Sequence, residues 1–410
     1  MKTLGIGILG HGFMGKTHAF AHRTIPFYYD PPPVRSVLKV LCGRDPERTR
    51  AAAEALGFEH WTTNMLEAVN SPEVDVLHIC TPNHEHFPAL QAAIRAGKHI
   101  YCEKPVTANL AEAAELEKLL PSYRGIAQTV LQNRFFPATL RAKKLMEEGF
   151  LGQVTQFRAA FLHSGNVDPQ RPFSWKFSAA AGGGVIRDLG PHVVDLLDHL
   201  AGPFAAVHCL SRIWAAQRPS PDAPGKTTAV DTEDAAVMLV RATDGAIGTI
   251  EVSKIATGAE DELRFEIHGR YGAMRYALSQ PNYLEIYDGR LPGGDLGGAR
   301  GWQRLATLHR YPGPGGKFPS GINSVGWLRG HVHSLYSFLN SVACGTPPSP
   351  SLADGLYLQR VLEAACESAK ADRWVELPLK PQMNPAVIQN SKCKMQNELP
   401  ARKFRIQNAE

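Results

Sequence analysis

Three groups of side chains have the types and spacing to do chemistry. Gly10, Gly12 and Gly15, with His11, Phe13 and Met14 between them, form a GxGxxG turn directly after an apolar run over residues 4–9. The first glycine permits a tight turn, the second lets backbone amides approach a pyrophosphate, and the third lets the next helix pack on the strand. The turn therefore reads as a dinucleotide site. Lys104 follows another apolar run, Lys98-His99-Ile100-Tyr101-Cys102, and precedes Pro105. A cation at the carboxyl end of a parallel strand lies where open α/β sheets bind ligands, so Lys104 reads as a lysine held at a nicotinamide; Pro105 stops the strand and narrows the Lys104 backbone. Asp188 and His192 are the third group, four residues apart and on one face of a helical path. An imidazole beside a carboxylate takes a proton near neutral pH, while the carboxylate orients the ring or holds a neighbouring hydroxyl. Gly190-Pro191 predicts a specially shaped turn between them; a capping aspartate and a packed histidine are the plainer alternative.

Other residues leave choices open. At the end of the second strand, where NAD sites usually place an acid for the ribose hydroxyls, the chain has Gly43-Arg44-Asp45. If Gly43 takes the place of the acid, Arg44 meets a 2′-phosphate, and these residues permit NADP as well as NAD. The histidine pairs His84/His86 and His331/His333 lack cysteines or acids at zinc-like intervals, so no metal site is expected. His331 and His333 read as surface or cap positions at a helix start, and His18 as a packed residue or a neighbour of the cofactor.

The 410 residues, 44% hydrophobic and 20% charged with a net charge of +5, are enough for two cores. No Lys/Arg block points to nucleic acid, no apolar stretch is long enough for a membrane span, and the start is not signal-like. Seven scattered cysteines, several in apolar strand runs, read as reduced thiols, and a cytoplasmic enzyme is expected.

The elements that position the three groups alternate at first. Strands over 4–9, 37–42, 74–80, 98–102 and 126–131, with helices over 14–22, 46–56, 87–96 and 110–120, predict a doubly wound parallel sheet of Rossmann type. The aromatic and proline-rich stretch 25–33 reads as a loop near the cofactor mouth. From Pro137 the pattern changes to a helix, a strand over 154–162, a helix to Leu200 and then successive strands to 287, which predicts an α+β domain with an open, antiparallel-rich sheet. Residues 289–321 read as a long surface loop or lid, and helices over 332–342 and 354–371 close the fold. The expected division is 1–126 for the dinucleotide, 127–379 for the substrate, with the last helices able to pack back on the first unit, and 380–410 as a loose tail or arm. A bare sheet face suits homo-oligomerisation, as a dimer or tetramer.

Together these motifs resemble the Gfo/Idh/MocA oxidoreductases (glucose–fructose oxidoreductase, inositol dehydrogenase and relatives) over roughly residues 3–378. The resemblance rests on Gly10 to Gly15, Thr81-Pro82-Asn83-His84-Glu85-His86, Ala96-Gly97-Lys98-His99 with Glu103-Lys104-Pro105, and Asp188 with His192. The stretch 12–18, the aromatic insert and the loop from Asp168-Pro169 to Trp175-Lys176-Phe177 are most similar to members that oxidise glycosides at C3. The resemblance implies NAD as cofactor and a sugar or glycoside secondary hydroxyl as substrate. It implies His192 as base, Lys104 on the reacting oxygen, and Asp188 holding a neighbouring hydroxyl or the Lys104–His192 pair. Asn83 and His86 would line the nicotinamide ribose and Glu103 bind its hydroxyls, with Thr81 and Pro82 also at the cofactor. Gln132, Arg134, His163 and Trp175 are candidates for a sugar wall, since flat aromatics and multidentate donors suit a polyol. Arg187, Pro191 and Phe161-Leu162-His163-Ser164 depart from the pattern and leave the substrate open. Alternatives are redox-assisted glycoside cleavage without net redox change, inositol or aldose oxidation, and sugar sensing without catalysis.

Overall fold

The computed structural model describes residues 1–311, 318–378 and 380. Its first half is β1 (Thr3–Leu9), α1 (Phe13–Tyr28), β2 (Arg35–Cys42), α2 (Pro46–Leu56), β3 (His60–Thr62), α3 (Met65–Asn70), β4 (Val76–Ile79), α4 (His86–Arg95), β5 (His99–Cys102), α5 (Leu110–Leu119) and β6 (Ala127–Thr129). The six strands pair in parallel in the order β3-β2-β1-β4-β5-β6. Chain order reverses between β1 and β4, which opens a crevice beyond their carboxyl ends. The central strands are buried on both faces, as their near-continuous apolar sequences require.

α1 departs from expectation. It continues through Pro26 to Tyr28, so the aromatic stretch begins as helix and not as loop. Pro26 lies in the last turns, where it forfeits one hydrogen bond, and the Tyr29 amide still donates to the Ile25 carbonyl. Packing outweighs that loss: Ile25 and Tyr29 are buried, and Tyr29 stacks on Tyr336 at 3.8 Å. Ile25 and Tyr29 thus anchor the stretch in the core while Phe27 stays exposed, and none of its residues lines the cofactor cleft.

The second half comprises α6 (Pro137–Glu147), β7 (Val154–Leu162), α7 (Val185–Asp188), α8 (Gly190–Ala201), β8 (Phe204–Arg212), the hairpin β9 (Gln217–Pro219) and β10 (Thr227–Ala229), then β11 (Ala235–Ala242), β12 (Ile247–Ser253), β13 (Glu262–Gly269), β14 (Gly272–Ala277), β15 (Tyr283–Asp288), β16 (Trp302–Ala306), α9 (Trp327–Cys344), α10 (Leu352–Ala371) and β17 (Val375–Glu376). Nine strands form one sheet in the order β16-β15-β14-β13-β7-β12-β11-β8-β17, antiparallel except for the β7–β12 pair. Phe157, Met238, Ile250 and Ile267 face a core completed by Leu145 of α6, Leu197 of α8 and Val361 of α10. The opposite face is left uncovered by the described residues, with Leu210, Leu239 and Ile247 exposed.

β16 corrects the expectation of a structureless 289–321 segment. Trp302–Ala306 pairs in register with β15, and Trp302 packs under the Arg275 guanidinium at 4.3 Å. Five residues after a glycine-rich run are too few for a pattern to register. Part of that segment, and the expected tail apart from Lys380, lie outside the described residues.

The last two helices return to the first sheet. Val332, Leu335, Phe338 and Leu339 of α9 share a core with Leu4, Ile6 and Ile25. α10 bridges the halves, with Leu352 and Leu356 in the core of the parallel sheet and Val361 and Ala365 in that of the mixed sheet.

Candidate active site

One cleft of about 850 Å³ lies between the halves. The glycine turn forms one wall. Gly10 has φ +90°, and a Cβ there would stand 2.7 Å from the Cys80 carbonyl oxygen. A Cβ on Gly15 would stand 2.0 Å from the Gly10 carbonyl oxygen, so this glycine seats α1 against the strand and does not itself line the cleft. Gly12 begins α1 with no side-chain cap and open space where a Cβ would point. The unpaired amides of a helix's first turn, with no acidic side chain among them, favour an anion here. This cradle fits a dinucleotide pyrophosphate. Phe13 reaches across to stack on Trp327 at 5.4 Å.

Gly43 and Arg44 line the same cleft at the end of β2. The Asp45 carboxylate is engaged as the cap of α2, accepting from the Arg48 amide at 2.9 Å. Thr81, Pro82 and Asn83 follow β4 into the cleft, where the Asn83 side chain donates to the Gly182 carbonyl at 2.8 Å and ties the two halves together. His86 is placed elsewhere: fully buried, its ring nitrogens meet the Pro105 and Thr81 carbonyls at 2.8 and 2.9 Å, so it braces two cleft loops from behind.

At the inner end the cleft brings together Lys104, Asp188 and His192. Lys104 Nζ donates to Asp188 Oδ1 at 2.9 Å and to its backbone carbonyl at 2.7 Å. Asp188 ends α7, and the chain restarts as α8 at Gly190-Pro191, so the expected special turn is a junction of two helices. Two further lysines converge on Asp188 Oδ2: Lys176 at 3.0 Å, and Lys254. Burial opposes ionisation of Asp188, but the ammonium groups of Lys104, Lys254 and Lys176 outweigh it and hold the carboxyl well below its ordinary range. Burial, then the Lys104 charge, pushes His192 well below the ordinary imidazole range and keeps it neutral. Its Nδ1 has no protein partner, and its ring meets Phe161 edge-on at 5.6 Å.

Of the sugar-wall candidates, Gln132, His163 and Trp175 line the cleft. Arg134 does not. Its guanidinium is buried behind α8 in a bidentate pair with Asp195. Lys254, Lys176, Trp327 and His331 also line the cleft, beyond the site residues read from the sequence. His331 corrects the expectation of a surface or cap role: it is 3% exposed, its ring lies 4.1 Å from that of Trp327 at a tilt of 53°, and neither ring nitrogen has a hydrogen-bond partner among the described residues. Lys254 did carry a signal, since it ends the apolar strand β12 as Lys104 ends β5.

The comparisons agree with this architecture. Residues 4–129 match the oxidoreductase family with NAD-binding Rossmann fold, and residues 139–275 match the GFO/IDH/MocA C-terminal domain. The levoglucosan dehydrogenase of Pseudarthrobacter phenanthrenivorans is 32% identical over 92% of this chain and 99% of its own. The chain belongs to the Gfo/Idh/MocA oxidoreductases. A levoglucosan dehydrogenase structure in complex with NADH and L-sorbose superposes with a TM-score of 0.88 at 32% identity, covering 92% of this chain and 100% of that one. An oxidoreductase domain protein from Kribbella flavida superposes with a TM-score of 0.87 at 34% identity, over 92% and 100%. This Gfo/Idh/MocA protein is thus an oxidoreductase with an NAD-binding Rossmann fold. No helix among the described residues is long and apolar enough to cross a membrane.

Proposed function

We propose that the protein interconverts a secondary hydroxyl of a sugar or glycoside, at C3, with the corresponding ketone. The observation that carries this reading is the meeting of Lys104, Asp188 and His192 in the cleft that also holds the glycine turn. The nicotinamide supplies the hydride-accepting centre when bound. The side chains handle the hydroxyl. His192, held neutral and lining the cleft, would take the hydroxyl proton, and Lys104 would hydrogen-bond the same oxygen and stabilise its developing negative charge. Asp188 fixes Lys104 through two hydrogen bonds and offers its remaining capacity to a neighbouring hydroxyl. Trp175, His163 and Gln132 provide the flat and polar surfaces that a polyol needs. The glycine turn, with Gly43, Arg44, Thr81, Asn83 and Glu103, would hold the cofactor.

The likeness to levoglucosan dehydrogenase favours an anhydrosugar or glycoside over a free aldose. Oxidation at C3 keeps the anomeric substituent away from the reacting carbon. Glucosides and anhydrosugars deuterated at C3 are expected to pass the label to NAD and yield a 3-keto product; label transfer from C1 with lactone formation overturns the C3 reading. The uncovered face of the mixed sheet is proposed as the surface on which copies of the chain associate, which light scattering of the purified protein checks.

A further inference from the structure

We propose that His18, His78 and His22 form a proton-conducting chain from solvent at Ser36 to Glu103 at the cleft wall. The proposal rests on the dehydrogenase reading above and concerns the proton half of that reaction. Ser36 Oγ lies 2.9 Å from His22 Nδ1, and His22 Nε2 lies 2.9 Å from His78 Nε2. His78 Nδ1 lies 3.0 Å from His18 Nδ1, and His18 Nε2 lies 3.0 Å from Glu103 Oε1. Each ring thus spends one nitrogen on either side, the arrangement in which an imidazole accepts a proton at one atom and releases another at the second.

The three rings are buried between α1 and the sheet, whereas Ser36 on β2 is partly exposed and Glu103 lines the cleft next to Lys104. Stability alone does not ask for them. His78 stands inside a strand of a parallel sheet, where apolar residues are the rule, and desolvating three imidazoles is costly unless their N–H groups are paired. The other groups facing the chain are Tyr101, with its ring 5.1 Å from those of His18 and His78, and Cys80, with Sγ 3.1 Å from His18 Nδ1. Lys104 and His331 face Glu103. Burial, and then the neighbouring His18, pushes His22 down to about 3, and burial holds His78 well below its ordinary range, so neither ring stores the proton in transit.

The carboxylate sets the direction of every bond. With Glu103 ionised it only accepts, so His18 carries its hydrogen on Nε2, His78 on Nδ1 and His22 on Nε2, while the Ser36 hydroxyl donates to His22 Nδ1. When water gives a proton to the Ser36 oxygen, the Ser36 O–H bond breaks as His22 Nδ1–H forms. His22 Nε2–H then breaks as His78 Nε2–H forms, and His78 Nδ1–H breaks as His18 Nδ1–H forms. Finally His18 Nε2–H passes to Glu103. One proton leaves water, one reaches the cleft wall, and the rings exchange tautomers; the reverse sequence exports a proton.

Nitrogen-15 NMR of the histidine-labelled wild-type protein, without substrate, tests the chain directly. It allows two patterns. Unloaded, the hydrogens lie on Nε2 of His18, Nδ1 of His78 and Nε2 of His22; with a proton held at the His18–Glu103 end, they lie on Nε2 of His78 and Nδ1 of His22. Any third pattern, or rings that switch at different pH midpoints, overturns the proposal. In single turnovers of NADH with a 3-keto sugar, His78→Gln and His22→Gln are expected to slow indicator-detected proton uptake roughly tenfold and to change its solvent isotope effect, with NADH affinity preserved. A variant with wild-type uptake and isotope effect, or one that only loses stability and NADH affinity, overturns it. Absence of turnover in the wild type would instead sink the dehydrogenase reading, leaving the tautomer pattern to decide the chain.

Discussion

Asp188 and Asp195 lie on successive helices and have opposite surroundings. Asp195 is fully buried and matched to a single guanidinium, Arg134, with both oxygens engaged. Asp188 borders the cleft and gathers three ammonium groups, more positive charge than one carboxylate neutralises. The first is a closed pair, as a structural strut must be once desolvated. The second keeps surplus charge beside an open space, where, on the proposed reading, a reacting oxygen that becomes negative would find it already in place. Balanced charge marks the support here, and unbalanced charge marks the proposed reaction site.

The largest effect is expected at the strut. Arg134→Ala leaves Asp195 buried without its partner and is expected to cost about 3–5 kcal/mol in urea unfolding, with turnover of the folded fraction within a few-fold of normal. Lost turnover at unchanged stability would return Arg134 to the sugar wall. Lys104→Ala is expected to do the converse: turnover falls roughly a hundredfold or more, about 3 kcal/mol in the barrier, while NAD binding by calorimetry changes little. A near-normal turnover number would remove Lys104 from the chemistry. Lys254→Met, which takes one of the surplus charges from Asp188, is expected to lower kcat about tenfold, and an effect on KM alone would make it a binding residue.

Acid sharpens the contrast through the buried imidazoles. Burial is the chief cause that lowers His22, His331 and His333 to about 3, against 6.5 for an ordinary imidazole. Between those values the unfolded chain takes up protons that the folded protein refuses, so stability is full above pH 6.5 and falls as the pH drops toward 3. Thermal melts across that range check the slope, which His333→Gln is expected to reduce. The smallest effect concerns Arg44: Arg44→Ala is expected to leave NAD affinity within a few-fold, whereas tight NADP binding that this change abolishes would show a 2′-phosphate site.

Much of this was legible in the chain. The alternation of apolar runs and helices in the first half, and the glycine spacing before α1, depend on local sequence and folded largely as read, although the short β3 and α3 went unread. That Lys104, Asp188 and His192 meet in one cleft could be read from their places at strand and helix ends; the role proposed for them rests on that meeting. Arg134 and His86 misled because a polar side chain near a cleft and one packed behind it look the same in sequence; only tertiary burial separates them. Lys176 and His331 arrive from a loop and from a late helix, and no spacing links either of them to Asp188 or Glu103. Pro26 and β16 failed for local reasons, a breaker overruled by packing and a strand too short to show a period.

The return of α9 and α10 to the first sheet bears on how the molecule is made. The parallel sheet is synthesised first, yet the surface formed by Leu4, Ile6 and Ile25 is finished by Val332, Leu335 and Phe338. Until those residues have left the ribosome, the early half carries an apolar surface with nothing to cover it, and a fragment ending at residue 126 keeps that defect permanently. α10 then spans both cores, so the halves hold or give way together and heat is expected to melt them as one unit. Two late helices complete what the first half could not.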